Sequence, residues 1–143
     1  MNNPLKILYS EIIRKNSEAP FHFEKIKDSP VTIKAYNPVC GDKFDLYVND
    51  LGGKINSVHF HGFGCAISKA SASILAKSVE GKTMQEAIRV CESFLHSMNK
   101  ESGDNELILQ EDFKAFSGVH DFPERKECAT LSWNEMLKFL RSK

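Results

Sequence analysis

The sequence between Tyr36 and Ser68 reads YNPVCGDKFDLYVNDLGGKINSVHFHGFGCAIS, and it decides the fold. Residues 43–49 and residues 54–62 alternate between apolar and polar side chains, which is typical of strands with one buried face. The turn between them carries Gly52 and Gly53, and paired glycines adopt the positive φ angles that tight hairpin turns need. The stretch therefore predicts an antiparallel β-hairpin.

Side chains that bind metals lie at both ends of this hairpin. Cys40 and Asp42 stand two residues apart in a Pro/Gly loop before it, and Cys65 follows it in the segment GFGC. A further thiol, Cys128, ends the segment PERKEC ahead of the last predicted helix. Three sulfurs and one carboxylate are enough to surround a tetrahedral zinc ion.

The spacing of these four residues leaves two interpretations open. There are 22 residues between Asp42 and Cys65 and 62 between Cys65 and Cys128, so the paired C-x-x-C knuckles of zinc fingers are missing. Cysteine is often a small buried hydrophobic residue, and three scattered cysteines fit that interpretation as well as a metal site. The fourth cysteine, Cys91, lies in the apolar stripe of a predicted helix and is interpreted as a core residue.

The composition is that of an ordinary globular chain. Hydrophobic residues make up 41% and charged residues 27% of the 143 residues, which fits one domain over residues 1–143. The 19 basic and 19 acidic residues balance, so nothing indicates a nucleic-acid partner. No segment approaches the roughly 20 apolar residues of a membrane span. We expect a cytoplasmic protein without a membrane partner, in which cysteines more often bind metal or react than form disulfides.

Helices are predicted on both sides of the hairpin, because apolar residues recur there at three- and four-residue spacing. The predicted helices cover residues 4–16, 66–79, 83–98, 107–116 and the segment from 125 onward; a loop over 20–30 and an edge strand over 31–36 precede the hairpin. Cys65 stands directly before one of these helices, where the helix dipole favours a thiolate. The order of elements predicts an α+β fold in two layers, a three-stranded antiparallel sheet packed against helices.

Three local sequences resemble one known family. They are NPVCGD at residues 37–42, GFGCAIS at residues 62–68 and FPERKECATLSW at residues 122–133. In this order, and over roughly residues 5–140, they resemble the IscU/NifU-type iron–sulfur scaffold superfamily. The resemblance implies the IscU/NifU-like two-layer fold.

Further features resemble the SufU branch of that superfamily rather than the classical IscU scaffolds. Glu127 precedes the third motif cysteine, where a classical scaffold has a histidine, and residues about 99–119 look like an insertion. Arg125, three residues ahead of that cysteine, is also typical of the branch. SufU-type proteins are zinc-dependent sulfurtransferases that work with a SufS-type cysteine desulfurase.

The resemblance implies a role for each matching residue. Cys40, Asp42, Cys65 and Cys128 match the zinc ligands, and Cys40 matches the thiol that accepts persulfide sulfur from the desulfurase. The sulfur would then reach downstream iron–sulfur assembly proteins. Arg125 is interpreted either as a residue that docks the partner or stabilises thiolate charge, or as a solvated arginine at the start of a helix.

Two other functions stay open at this stage. A scaffold that assembles a [2Fe–2S] cluster would use the same ligands, because thiolates bind iron as well as zinc. A zinc-stabilised adaptor would bind a partner without carrying sulfur. The missing histidine and the apparent insertion favour the sulfurtransferase over the scaffold.

The histidines are the remaining candidate ligands. His59 and His61 share one face of the second hairpin strand, where they either bind metal or meet solvent. The Cys and Asp residues already complete a tetrahedral set, which favours solvent. His120 lies in the loop before the third motif and is a candidate for lining the site, whereas His22 and His96 are interpreted as surface residues.

Overall fold

The computed structural model describes residues 4–39, 41–99, 115–116 and 123–143. The elements in chain order are α1 (Pro4–Glu18), β1 (Val31–Asn37), β2 (Asp42–Leu51), β3 (Lys54–Phe63), α2 (Ala66–Val79), α3 (Met84–Asn99) and α4 (Pro123–Arg141). This order confirms the predicted α+β architecture. The short helix predicted over 107–116 lies outside the described residues except for a turn at 115–116, and so does most of the apparent insertion.

The hairpin has the predicted geometry. The three strands form one antiparallel sheet in the order β1-β2-β3, so β1 is an edge strand as expected. Leu51 pairs with Lys54 across a two-residue turn, in which Gly52 and Gly53 have φ angles of 60° and 79°. Positive φ at both central positions is the geometry of a type I′ turn. One face of the hairpin is fully buried and carries Phe44, Leu46, Val48, Val58 and Phe60.

Helix α2 is the centre of the helical layer. It packs against α1, α3, α4 and β3, and it is buried on most of its circumference rather than along one stripe. Its small side chains allow this close approach, since alanine and serine keep the neighbouring backbones near. The buried hydroxyls are all paired: the Ser73 hydroxyl donates to Asn16 (2.8 Å) and accepts from the Phe21 N–H (2.9 Å). The sequence pattern had indicated an amphipathic helix because serine counts as polar.

The segment predicted as a loop over residues 20–30 covers the outer edge of β3. The Phe60 N–H donates to the His22 carbonyl at 3.0 Å, and the Glu24 N–H donates to the Phe60 carbonyl at 2.9 Å. His22 is therefore not the surface residue expected from sequence. Its ring stacks on His59 at 4.2 Å, and its Nδ1 lies 3.0 Å from a Glu80 carboxylate oxygen.

Helix α3 begins with a reciprocal pair of hydrogen bonds. The Glu86 N–H donates to the Thr83 hydroxyl (3.1 Å), and the Thr83 N–H donates to the Glu86 carboxylate (2.9 Å). This reciprocal pair is a capping box, in which Thr83 is the N-cap of α3. In the part of the chain that the structure describes, no helix is long and apolar enough to cross a membrane.

Candidate metal centre

The strand register brings the two ends of the hairpin together. Asn37 pairs with Asp42 at the start of β2, and Lys43 pairs with Phe63 at the end of β3. The chain leaves β3 beside the first residue of β2 and reaches Cys65 two residues later. Antiparallel pairing of β2 and β3 therefore brings Asp42 and Cys65 close together, although they are 23 residues apart in the sequence.

Cys65 is the N-cap of α2, as predicted. Its Sγ accepts a hydrogen bond from the Ser68 N–H at 3.4 Å. Its own N–H donates to Asp42 Oδ1 at 3.1 Å, which joins the thiol residue to the carboxylate residue through the backbone. The sulfur therefore lies at the N-terminus of α2, where the first turn of a helix offers N–H groups without an intrahelical partner.

Cys128 reaches the same point from α4, which packs against α2. The Ser71 hydroxyl donates to the Ala129 carbonyl, and the Trp133 indole N–H donates to Ser71 Oγ at 2.9 Å. Trp133 is fully buried and stacks on Phe94 at 4.1 Å. These bonds fix the position of α4 along the axis of α2. They therefore also fix the position of Cys128, which directly precedes Ala129 in the chain.

The side chains of Asp42, Cys65 and Cys128 converge, with one ligand atom of each within 4.8 Å of the others. Asp42 is 1% exposed and Cys128 is 7% exposed, whereas Cys65 is open to solvent. Tetrahedral ligands at ~2.0–2.3 Å from an ion lie roughly 3.4–3.8 Å apart, so small rotations would close this set on a metal. Two thiols and a carboxylate suit zinc or iron.

Gly64 makes room for this arrangement. A Cβ at this position would collide with the Ser68 hydroxyl and lie 2.7 Å from both Asp42 Oδ1 and Phe44 Cε2. The backbone between β3 and α2 therefore runs directly against the carboxylate. Sequence reasoning missed Gly64 and Ser68, although their places beside Cys65 in GFGCAIS were the available signal.

The other candidate residues lie in different surroundings. Cys40 lies outside the described residues, as does His120. Arg125 is exposed in the first turn of α4. His59 stacks on His22, and His61 stacks on Phe23 at 4.8 Å, so neither belongs to the convergent group.

Cys91 is buried as predicted. It is fully excluded from solvent on α3 and belongs to the hydrophobic core. Burial raises the pKa of the Cys91 thiol to about 12, because a thiolate there would lose its hydration. Such a thiol is chemically inert, so Cys91 is not a candidate for the reactive cysteine.

Comparison with known proteins decides the family. The profile described as NifU-like N terminal domain matches residues 8–129. The chain belongs to the NifU-like N-terminal domain family. This confirms the resemblance to the IscU/NifU-type superfamily that the three motifs indicated.

Relatives of this chain include both a protein named as a sulfurtransferase and proteins named as cluster assembly scaffolds. The zinc-dependent sulfurtransferase SufU of Bacillus subtilis is 34% identical over 137 residues, covering 96% of this chain and 92% of the relative. The iron–sulfur cluster assembly scaffold protein IscU of Streptococcus pyogenes is 32% identical over 144 residues, covering 96% and 85%. Identity of this order does not separate the two activities.

A solved structure of the NifU-like family has the same fold. It is the putative iron–sulfur cluster assembly scaffold protein for the SUF system from Fervidobacterium islandicum, with a TM-score of 0.81 and 32% sequence identity. The match covers 93% of this chain and 96% of that one.

Proposed function

We propose that this protein is a zinc-dependent sulfurtransferase of iron–sulfur cluster assembly. In this proposal Cys40, Asp42, Cys65 and Cys128 hold the zinc, and Cys40 accepts sulfur from the persulfide of a SufS-type cysteine desulfurase. The observation that carries the proposal is the convergence of Asp42, Cys65 and Cys128 within 4.8 Å. The B. subtilis relative, which is named a zinc-dependent sulfurtransferase, supports it.

Chain connectivity supports Cys40 as the fourth ligand. Cys40 is two residues from Asp42, and two residues of chain span at most about 7 Å between Cα atoms. A thiol at that distance is within reach of the group that Asp42 joins. Bound zinc would keep these thiolates deprotonated and shield them from oxidation.

The chemistry proposed for Cys40 is a transfer of one neutral sulfur atom. The Cys40 thiolate attacks the outer sulfur of the desulfurase persulfide, a new S–S bond forms on Cys40, and the old S–S bond breaks. The desulfurase cysteine leaves as a thiolate, so no external oxidant or reductant is needed. Cys65 and Cys128 belong to helices α2 and α4, whereas Cys40 belongs to the connection between β1 and β2. Movement of Cys40 alone therefore leaves the helices in place.

A matched pair of cysteine variants tests this role. After reaction with the desulfurase and cysteine, mass spectrometry should find the added sulfur on Cys40 of the native chain and none on the Cys40→Ala protein. Cys91→Ala is the control, because Cys91 is buried in the core, and it should accept sulfur normally. Added sulfur mainly on Cys65 or Cys128 would contradict the assignment. Full stimulation of the desulfurase by Cys40→Ala would instead favour the adaptor.

A second candidate function is a scaffold that assembles a [2Fe–2S] cluster on the same residues. The observation that favours it is the similar identity to the S. pyogenes scaffold. Metal analysis of the protein as isolated separates the two functions. One equivalent of zinc without a visible absorption band supports the sulfurtransferase, whereas iron, sulfide and a brown colour support the scaffold.

A further inference from the structure

The Ser68 hydroxyl lies between two atoms of Cys65. Ser68 Oγ is 3.6 Å from Cys65 Sγ and 3.1 Å from the Cys65 carbonyl oxygen, and the Ser68 N–H points at the same sulfur from 3.4 Å. Ser68 is 2% exposed, so water has little access to its hydroxyl. Ser68 thus contacts a single thiol twice: its N–H donates to the sulfur, and its hydroxyl oxygen accepts from the thiol.

The hydroxyl has two alternative acceptors. In the structure the Cys65 S–H donates to Ser68 Oγ, and the Ser68 hydroxyl donates to the Cys65 carbonyl. A sulfur bound to a metal would carry no S–H, so the hydroxyl could then turn and donate to the sulfur instead. The carbonyl keeps a partner after this rotation, because the Lys69 N–H also donates to it at 3.0 Å. No buried group is left unpaired in either state.

We propose that Ser68 is a positioning residue that holds Cys65 as the fixed sulfur ligand of the metal centre. This inference rests on the proposed function, in which Cys65 binds the metal. The Ser68 N–H and hydroxyl together set the direction of the Cys65 sulfur and bear part of its negative charge. Cys40 is then the thiol that changes partner, whereas Cys65 stays in place.

The surroundings of Ser68 support a fixed orientation. The hydroxyl lies so close to the Gly64 backbone that a Cβ there would collide with it, which limits how far the side chain can move. Ser68 stands on the first turn of α2, whose backbone is held by the helix. Groups that hydrogen-bond to a metal ligand commonly contribute 10- to 100-fold to metal affinity.

Ser68→Ala tests the hydroxyl, with Ser78→Ala as a matched control on the same helix. The Ser78 hydroxyl donates to the Ile74 carbonyl at 2.6 Å and lies ten residues further along, so its loss removes a serine hydrogen bond away from the site. We expect Ser68→Ala to lower the affinity for Zn²⁺ about 10- to 100-fold in a chelator competition. We also expect it to shift the thiolate-to-metal absorption band of the Co²⁺-loaded protein. Ser78→Ala should change neither.

Either of two results would overturn the proposal: native Zn²⁺ affinity and an unchanged Co²⁺ spectrum in Ser68→Ala, or an equal loss of affinity in Ser78→Ala. The second result would show that the effect comes from helix stability in general. Both measurements use the metal alone and no desulfurase. If sulfur transfer to Cys40 fails, the metal-binding test of Ser68 can still be interpreted. If Ser68→Ala binds metal like the native chain, the sulfur-transfer assay can still be interpreted.

A measurement on the native chain decides the case if Ser68→Ala does not fold. In protein loaded with ¹¹³Cd²⁺, the amide and hydroxyl protons of Ser68 should show scalar coupling to the metal, transmitted through hydrogen bonds to the Cys65 sulfur. The Ser78 protons should show none. Absence of coupling at both Ser68 protons would overturn the proposal.

Discussion

Gly64→Ala should weaken the metal centre as well as destabilise the fold. The added Cβ would lie 2.7 Å from Asp42 Oδ1 and 2.7 Å from Phe44 Cε2, and it would collide with the Ser68 hydroxyl on a third side. Gly64 has no positive φ, so its backbone conformation is open to alanine and only space opposes the change. The substitution therefore tests the close packing around Gly64 without added backbone strain.

The size of the effect follows from those distances. Ordinary contact begins at 3.4 Å, so Asp42 Oδ1 has to retreat by about 0.7 Å or the β3–α2 connection has to shift by a similar amount. Overpacking of this kind costs about 1–3 kcal/mol of unfolding free energy. Metal ligands tolerate displacements of only about 0.2 Å, so we expect zinc affinity to fall at least tenfold.

The matched control is Gly81→Ala, which should destabilise the chain through backbone strain rather than through steric contact. Gly81 has φ +82° and open space around its missing side chain. Alanine there costs about 1–2 kcal/mol through backbone strain, at a turn away from the site. Urea unfolding of the metal-free proteins should place the two variants within a similar range, and chelator competition should separate them. Native zinc affinity in Gly64→Ala would refute the argument that the backbone is packed against Asp42.

Four further outcomes are expected. Cys91→Ala should keep its metal and lose about 1–2 kcal/mol of unfolding free energy through a small cavity, measured by urea titration with metal analysis; a lost metal would contradict its role as a core residue. Folding raises the pKa of the Cys91 thiol from 9.0 to about 12. The stability that comes from keeping this thiol neutral is therefore complete below about pH 9. It is lost as the pH rises towards 12, by at most about 1.4 kcal/mol of unfolding free energy per pH unit. Unfolding titrations at pH 8 and about pH 10.5 should show this loss in the native chain and a smaller one in Cys91→Ala. Removing zinc with a chelator should lower the thermal midpoint of unfolding. An ion at a free concentration a hundredfold above its dissociation constant adds about 2.7 kcal/mol to the free energy of unfolding. An unchanged midpoint would argue against a metal ion that links β2, α2 and α4. Thr83→Ala should cost about 1 kcal/mol through the lost cap of α3, and equal zinc affinity in this variant would show that the site does not depend on α3.

The sequence predicted those features that depend on local pattern. Gly52-Gly53 between two alternating runs specified the hairpin and its turn, and the predicted bounds 66–79 of the helix after Cys65 match those of α2. Antiparallel pairing then requires the end of β3 to lie beside the start of β2. The meeting of Asp42 and Cys65 therefore followed from pattern and topology together.

Features that depend on contacts between distant segments did not show in the pattern. Nothing in the spacing between Cys65 and Cys128 indicates that Ser71 and Trp133 hold α4 at the right height on α2. A serine that satisfies its hydroxyl inside the protein looks the same in sequence as one at the surface, which is why the burial of α2 was underestimated. His22 was misjudged for the same reason, because its partners Glu80 and His59 come from other elements.

The two sequence separations within the metal centre have a consequence for the order of folding. Asp42 and Cys65 are joined by the hairpin, a local structure that closes in microseconds, whereas Cys128 joins only when α4 docks. As an unstructured loop, the 62-residue connection costs roughly 0.9 kcal/mol more entropy to close than the 22-residue one. We therefore expect the pair of Asp42 and Cys65 to form before the complete site on the folding pathway. Metal ions that bind this early pair would have to stay exchangeable until α4 docks, so we expect the speed of ligand exchange to help decide which ion the folded protein retains.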